Sequence, residues 1–260
     1  MLILAGSDVV THLLDYPLIE GVLSAHAVLM IITTIVMVWG FSAVAKHAKG
    51  GEAPGKKGWT AIAEVGLVWV RDEIVYAWLG EKEGRKWLFF FWTLFFWLLF
   101  SNLLGLFPFP LNPWQRGHTG NLAVTGSFAA MAFIAICTAG ISKHGVGGFI
   151  KHFVPPGVPL WLAPLVWLIE VVGLFVKPFA LMVRLTANMT AGHAILAVLF
   201  GFMFGVAHYD SVAVGGAANI ASFLFILFIM LFETLVALIQ AFIFTVLTAI
   251  FMSQVVAEDH

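Results

Sequence analysis

Two apolar stretches late in the chain, residues 160–205 and 217–255, are each too long for an ordinary membrane crossing. At 1.5 Å per residue, a helix of about 40 residues is roughly 60 Å long, twice a hydrocarbon core of ~30 Å. Fitting such a rod into such a slab demands a tilt of about 60° from the membrane normal, whereas ordinary spans stay within about 0–40°. The alternative is a pair of shorter spans joined by a turn at Asn188 or Gly192. Against it, "RLTANMTAG" (184–192) carries no Pro-Gly breaker, and a turn there would upset the sidedness of the basic residues.

The remaining composition agrees with a membrane interior. Of 260 residues, 61% are hydrophobic and only 10% charged, with 25 Phe and 10 Trp. A soluble domain carries about 25% charged residues. The formal net charge of −1 gives no reason to expect a nucleic-acid partner. Cys137 is the single cysteine, which excludes an internal disulfide and a cysteine metal site, and its neighbours in "FIAICTAGI" make it a packing residue. The opening "MLILAGSDVVTHLLDY" lacks Lys and Arg, so no cleavable signal peptide is expected there.

The expected fold is all-α and integral to the membrane, a single membrane domain of five crossings and one interfacial amphipathic helix. Its parts are an outside tail (1–20), a first span (21–45), a Gly/Lys linker (46–58), an interfacial helix (59–80), spans at 86–108 and 121–142, and the two long tilted helices. Residues 59–80 hold Glu64, Arg71, Asp72 and Glu73, too many charges to span, with Trp59, Trp69 and Trp78 suited to interfacial depth. Lys46, Lys49, Lys56, Lys57, Arg71, Lys82, Arg85 and Lys86 fall between the first and second spans, and Lys143 and Lys151 follow the third. The opposite side holds only Arg116. The positive-inside rule then puts the N-terminus outside and the C-terminus in the cytoplasm.

Inside this apolar frame lies a polar constellation. Arg184 keeps its charge wherever the helix places it. At the bilayer centre that charge costs about 2.5–3.5 kcal/mol on insertion scales. Glu170, Lys177 and Arg184 recur at intervals of seven, along one slowly drifting helical stripe that Asn188 and Ala191 continue. On the second long stretch Glu233 and Gln240 are also seven apart, with Ala237, Ala241 and Thr248 on the same row. His193 falls on the face opposite Arg184, nine residues on. Asn102 sits within "FSNLLGLFP" (100–108).

These groups could serve only as glue, Glu170 paired with Lys177 or Arg184 with Glu233. Intramembrane charges more often mark an ion or substrate path. The other histidines (His12, His26, His47, His118, His144, His152, His208 and His260) lack metal-ligand spacing, and no Walker loop or Ser-His-Asp pattern occurs. Movement of a small ion is the supported chemistry, without a cofactor, a metal or a catalytic centre. A competing reading is a stand-alone secondary transporter or channel in which Lys177 and Arg184 bind an anionic substrate, but the inverted repeats usual in such proteins are not evident.

"RLTANMTAGH" (184–193) resembles the signature of subunit a of the rotary F-type ATP synthases. "ETLVALIQAFIFTVLTAIF" (233–251) is similar to that family's final helix and "FSNLLGLFP" to its second span, and the likeness covers roughly residues 60–255. The resemblance implies a stator against which a ring of c subunits turns. Its partners would be that ring, peripheral-stalk subunit b, the rest of the F1Fo complex and lipid, with no small-molecule substrate beyond the coupling ion. It implies that Arg184 faces the ring, that Asn188 and Gln240 are its polar neighbours, and that Glu170 lies in one of two half-channels. His193 and Glu233 fall where the family has an interacting pair in the outer half-channel. Lys177 and Thr248 are further candidates for channel lining. In one departure, Gly105 stands where several members are acidic, leaving Asn102, His118, Asn121 and water to serve the outer half-channel. The expected setting is a bacterial inner membrane, with protons favoured over sodium as the coupling ion.

Overall fold

The computed structural model describes residues 17–19, 23–49, 58–106, 122–153, 158–159, 161–204 and 212–256. His118, Asn121, most of the N-terminal tail and most of the 46–58 linker lie outside the described residues. A short antiparallel pair, β1 (Pro17–Ile19) and β2 (Leu23–Ser24), precedes the first helix, α1 (Ala25–Lys49). That pairing holds Leu23 and Ser24 in extended backbone, so the helix starts at Ala25 and not at residue 21.

Next comes α2 (Trp59–Trp69), continued by a wider π-helical stretch over Val70–Tyr76. The widened turn changes which side chains share a face. Val70, Ile74 and Val75 all reach full burial, while Arg71, Asp72 and Glu73 stay at the surface. There Arg71 forks onto its neighbour Asp72, with bonds of 2.7 and 3.0 Å. The helix α3 (Ala77–Leu106) follows, but Gly80 at φ 72, ψ 167 divides it. Only glycine adopts that conformation without strain, so the chain changes direction there and the charged rod ending at Gly80 is separate from the apolar rod after it.

The bundle is completed by α4 (Leu122–His152), with a similar break at Gly145, and by α5 (Ala163–Phe204) and α6 (Val212–Val256). The two long helices run unbroken for 42 and 45 residues. No turn divides α5 at Asn188 or Gly192. Among the described residues, four segments are long and apolar enough to cross a membrane: Trp59–Gly105, Val124–Ile150, Ala163–Leu196 and Asn219–Val256. A shorter apolar stretch, Met30–Lys46, lies in α1. The chain is thus a multi-helix membrane protein, with five apolar helices, α1 and α3 to α6, among its described residues.

Large aromatics against small residues build the core. Phe91, Phe95 and Leu98 of α3 and Phe128 of α4 are buried, as are Ala132, Ala135 and Ala139 of α4 and Ala241 and Ala249 of α6. Lipid gives no hydrophobic drive between helices, so close approach over small side chains and dispersion must hold them. Indole donors supply cross-ties: Trp92 Nε1 donates to the Leu67 carbonyl at 2.8 Å, and Trp97 Nε1 to Thr34 Oγ1 at 3.3 Å. The most apolar stretches of α5 and of α6 are far less covered. Only 11% of each is buried within the chain, against 50% in α4. Their outward faces await lipid or another protein.

Two tests follow from this packing. A methyl group on Gly140 would overlap Val255 and stand 2.6 Å from the Phe149 ring, whereas Gly147 on the same helix faces open space. Gly140→Ala should destabilise by about 1–3 kcal/mol through overpacking. Gly147→Ala should be neutral or stabilising by up to ~1 kcal/mol. Thermal unfolding in detergent separates the two. At the hydrophilic ends of α3 and α4, Glu83 receives Lys86 at 2.9 Å and Lys143 at 3.4 Å. The Lys86 hydrogen bond, helped by Lys143 and opposed by burial, holds the Glu83 carboxyl below its ordinary value. A depressed carboxylate adds stability present above its unfolded-state pKa and lost as pH falls through the folded one. Glu83→Gln should therefore cost ~1 kcal/mol or less near neutrality, the deficit vanishing in acid, as read from melting curves across pH.

Candidate functional site

Antiparallel packing of α5 on α6 brings the polar residues together at successive levels. Nearest the start of α5, Lys177 Nζ donates to Gln254 Oε1 at 3.2 Å and sits 4.8 Å from the centre of the Phe251 ring. Further along, Asn188 Nδ2 donates to Gln240 Oε1 at 3.0 Å. Further still, the Glu233 carboxylate lies against Gly192, so closely that a methyl group there would overlap it. Three levels of polar contact thus run down one interface, with Arg184 between the first and second.

Arg184 takes no part in them. It lies at the middle of α5 (Ala163–Phe204), is exposed, and forms neither a hydrogen bond nor an ion pair among the described residues. The rotation of α5 explains this. Pro178, Leu181, Met189 and Gly192 turn inward and are buried, while Phe179, Val183 and Arg184 turn outward. A hydroxyl pair fixes that rotation: Thr186 Oγ1 lies 2.6 Å from Thr125 Oγ1 of α4 and also donates to its own helix at Met182. Neither the Glu170–Lys177 pair nor the Arg184–Glu233 pair forms. The glue reading of the charges is therefore not what the structure shows.

Glu170 and Lys177 share the wall of a cleft of about 280 Å³ with Leu174, Pro178, Phe251 and Gln254. Pro178 has no backbone N–H, so the Leu174 carbonyl one turn earlier loses its helical donor on that wall. The Lys177 stem packs along apolar surface while its head reaches an amide and a ring face. On the other side of Arg184, Gln240 is 3% exposed, and Asn102 is fully buried with Nδ2 at 3.5 Å from the Ala237 carbonyl. The Glu233 Oε2 and Gln240 Nε2 atoms have no partner among the described residues.

Several expected residues stand elsewhere. Thr248 is fully buried and donates to the Phe244 carbonyl at 2.8 Å, so its hydroxyl is spent within its own helix. The His193 side chain lies outside the described residues, although its backbone belongs to α5. Gly192, its neighbour, faces inward while Arg184 faces outward. Sequence reasoning missed Gln254, which a continued seven-residue series from Glu233 through Gln240 would have found. It also missed Gly192 as a seat for a carboxylate, and the Thr125–Thr186 link, which no single-chain pattern marks.

A multi-pass membrane protein results, one that offers an unpaired cation at mid-helix on an open face and keeps a polar seam behind it. The chain belongs to the ATP synthase A chain family, whose pattern it matches over residues 27–253. It is 37% identical to ATP synthase subunit a of Myxococcus xanthus over 92% of this chain and 74% of that protein. It is 37% identical to ATP synthase subunit a of Chloroherpeton thalassium, over 92% and 68%. ATP synthase subunit a of Novosphingobium aromaticivorans is also 37% identical, over 87% and 84%.

The Gly192 seat yields a test in the assembled enzyme. Gly192→Ala should displace the Glu233 carboxylate and lower ATP-driven ion pumping by about 10- to 100-fold, the penalty of small misplacements at a working site. Adding Glu233→Asp, one methylene shorter, should recover part of the loss. No loss in the single variant would show that this contact has no functional weight.

Proposed function

We propose that this chain is the proton-translocating stator of a rotary ATP synthase membrane sector, with Arg184 facing a carboxyl group that a ring of c subunits presents. Membership of the ATP synthase A chain family supports the role. The observation that carries the residue assignment is the exposed guanidinium at mid-helix, without a partner among the described residues. A buried pair inside the chain would have neutralised it.

The physics then orders the events. A ring carboxyl facing lipid stays neutral, because ionisation there is prohibitive. Opposite Arg184 the anion is favoured, the carboxyl pKa falls, and its proton leaves through one half-channel. The next ring site takes a proton from the other half-channel and moves into lipid. Arg184 repels protons between the two and blocks a direct leak. Each charge crossing 100 mV yields about 2.3 kcal/mol, which becomes torque because entry and exit lie on different sides of Arg184.

The cleft of Glu170, Lys177 and Gln254 is assigned to the cytoplasmic half-channel. Asn188 and Gln240 flank Arg184, and Glu233, His193, Asn102, His118 and Asn121 are assigned to the outer half-channel. Thr248 supports the helix and does not line the path. The proposed setting is a bacterial inner membrane with the C-terminus cytoplasmic, in keeping with the basic residues between the first two spans and after the third. The c-ring and peripheral-stalk subunit b are the proposed direct partners. A stand-alone transporter binding an anion at Lys177 and Arg184 is disfavoured, since Lys177 is already engaged with Gln254.

Arg184→Ala should lower proton-driven ATP synthesis at least ~100-fold in assembled complexes, the scale of losing one preorganised electrostatic group. Arg184→Lys should fail too, because an ammonium lacks the forked geometry and loses its proton readily in an apolar site. Normal synthesis by reconstituted vesicles carrying Arg184→Ala would overturn the assignment.

A further inference from the structure

Threonine hydroxyls in this bundle mostly bond to their own helix. Thr93, Thr138, Thr234, Thr245 and Thr248 each donate to the carbonyl four residues back, at 2.7–2.9 Å. Ser101 of α3 is fully buried and does not: its Oγ has no partner among the described residues. The Oδ1 atom of the next residue, Asn102, also fully buried, has none either. Asn102 Nδ2 reaches the Ala237 carbonyl on α6 at 3.5 Å. Ala237 lies one turn from Glu233 and one turn from Gln240, whose Oε2 and Nε2 atoms are the other two orphans of this seam.

Buried polar atoms are nearly always hydrogen-bonded, to protein or to ordered water. An isolated orphan would be a local defect. Four of them lie on two adjacent helices, Ser101 beside Asn102 on α3 and Glu233 and Gln240 one turn to either side of the Ala237 carbonyl that Asn102 reaches on α6. Such a set suits water, which needs two to four polar partners. The four are complementary: Ser101 both donates and accepts, Asn102 Oδ1 and the Glu233 carboxylate oxygen accept, and Gln240 Nε2 donates. A hydroxyl receives and gives a hydrogen bond through one oxygen atom, so it can link one water directly to the next.

We propose that Ser101 is a water-organising residue of the proton path, holding with Asn102 the hydrated link between α3 and the Glu233–Gln240 stretch of α6. The inference rests on the proposed stator function and adds a residue that function does not assign. Ser101 positions water and is not a group that meets the ring.

The test uses the assembled ATP synthase in vesicles with Cys137→Ala, which removes this chain's single native thiol. Ser101→Cys in that background should be inhibited by silver ions at least about tenfold faster than Leu98→Cys, because only a hydrated thiol ionises to bind metal. Leu98 is equally buried on the same helix. Ser101→Ala should lower passive proton conductance about two- to tenfold, the scale of one lost hydrogen bond, and Ser101→Thr should keep it. Overturning results are a Ser101→Cys as inert as Leu98→Cys, full conductance in Ser101→Ala, or an equal loss in Ser101→Thr, which would mark packing damage. Should Ser101 fail while Arg184→Ala still blocks synthesis, the stator reading stands; should Arg184→Ala conduct normally, that reading falls by itself.

Discussion

An unneutralised guanidinium in a low-dielectric setting governs this structure. Arg184 cannot shed its proton, and its charge at mid-helix is unfavourable by several kcal/mol unless an anion or ordered water meets it. The neighbouring helix carries an acid, Glu233, yet Arg184 does not pair with it. The inward faces of Leu181, Met189 and Gly192 and the Thr125–Thr186 contact hold α5 at a rotation that keeps the side chain outside. Exposure is thus built in by packing and is not an accident of a loose helix.

That packing centres on α6, which lies against α3, α4 and α5. Helix α3 is tied to α2 and α1 by indole donors and meets α4 where the Trp97 ring lies 4.4 Å from that of Phe128. The second half of α6 is buried among them through Ala241, Phe244, Ala249 and Met252. Its first half, with the outward side of α5, presents a wide apolar face.

Hydropathy and charge revealed much of this before any coordinates. The length of the last two stretches announced long single helices, and intervals of seven placed Glu170, Lys177 and Arg184 on one stripe, because both signals follow from 3.6-residue periodicity. Other features had no linear trace. The π-helical stretch at Val70–Tyr76 shifts the face by changing the period itself, which a fixed-period reading misses. The seat of Glu233 on Gly192 depends on the register between two helices distant in sequence. Thr248 sat on the right row and yet belongs to the core, since a row names a face without saying which neighbour covers it. The two strands before α1 were invisible because a few extended residues leave no alternation to detect.

The two cations of α5 show how the fold assigns different duties to similar charges. Lys177 has a home: a neutral amide from Gln254 and the face of Phe251 solvate it without cancelling its charge. Arg184 is given only neutral company nearby, an Asn188–Gln240 amide pair one turn along. Amides offer dipoles and no countercharge, so they can orient water or a passing carboxylate while leaving the guanidinium's full attraction unspent. A carboxylate in the place of Gln240 would form a permanent ion pair, strong in so apolar a setting and difficult to dissolve on each turn of a partner. In the proposed stator role, neutral neighbours around a permanent cation are what would permit repeated, reversible capture of an acid from outside.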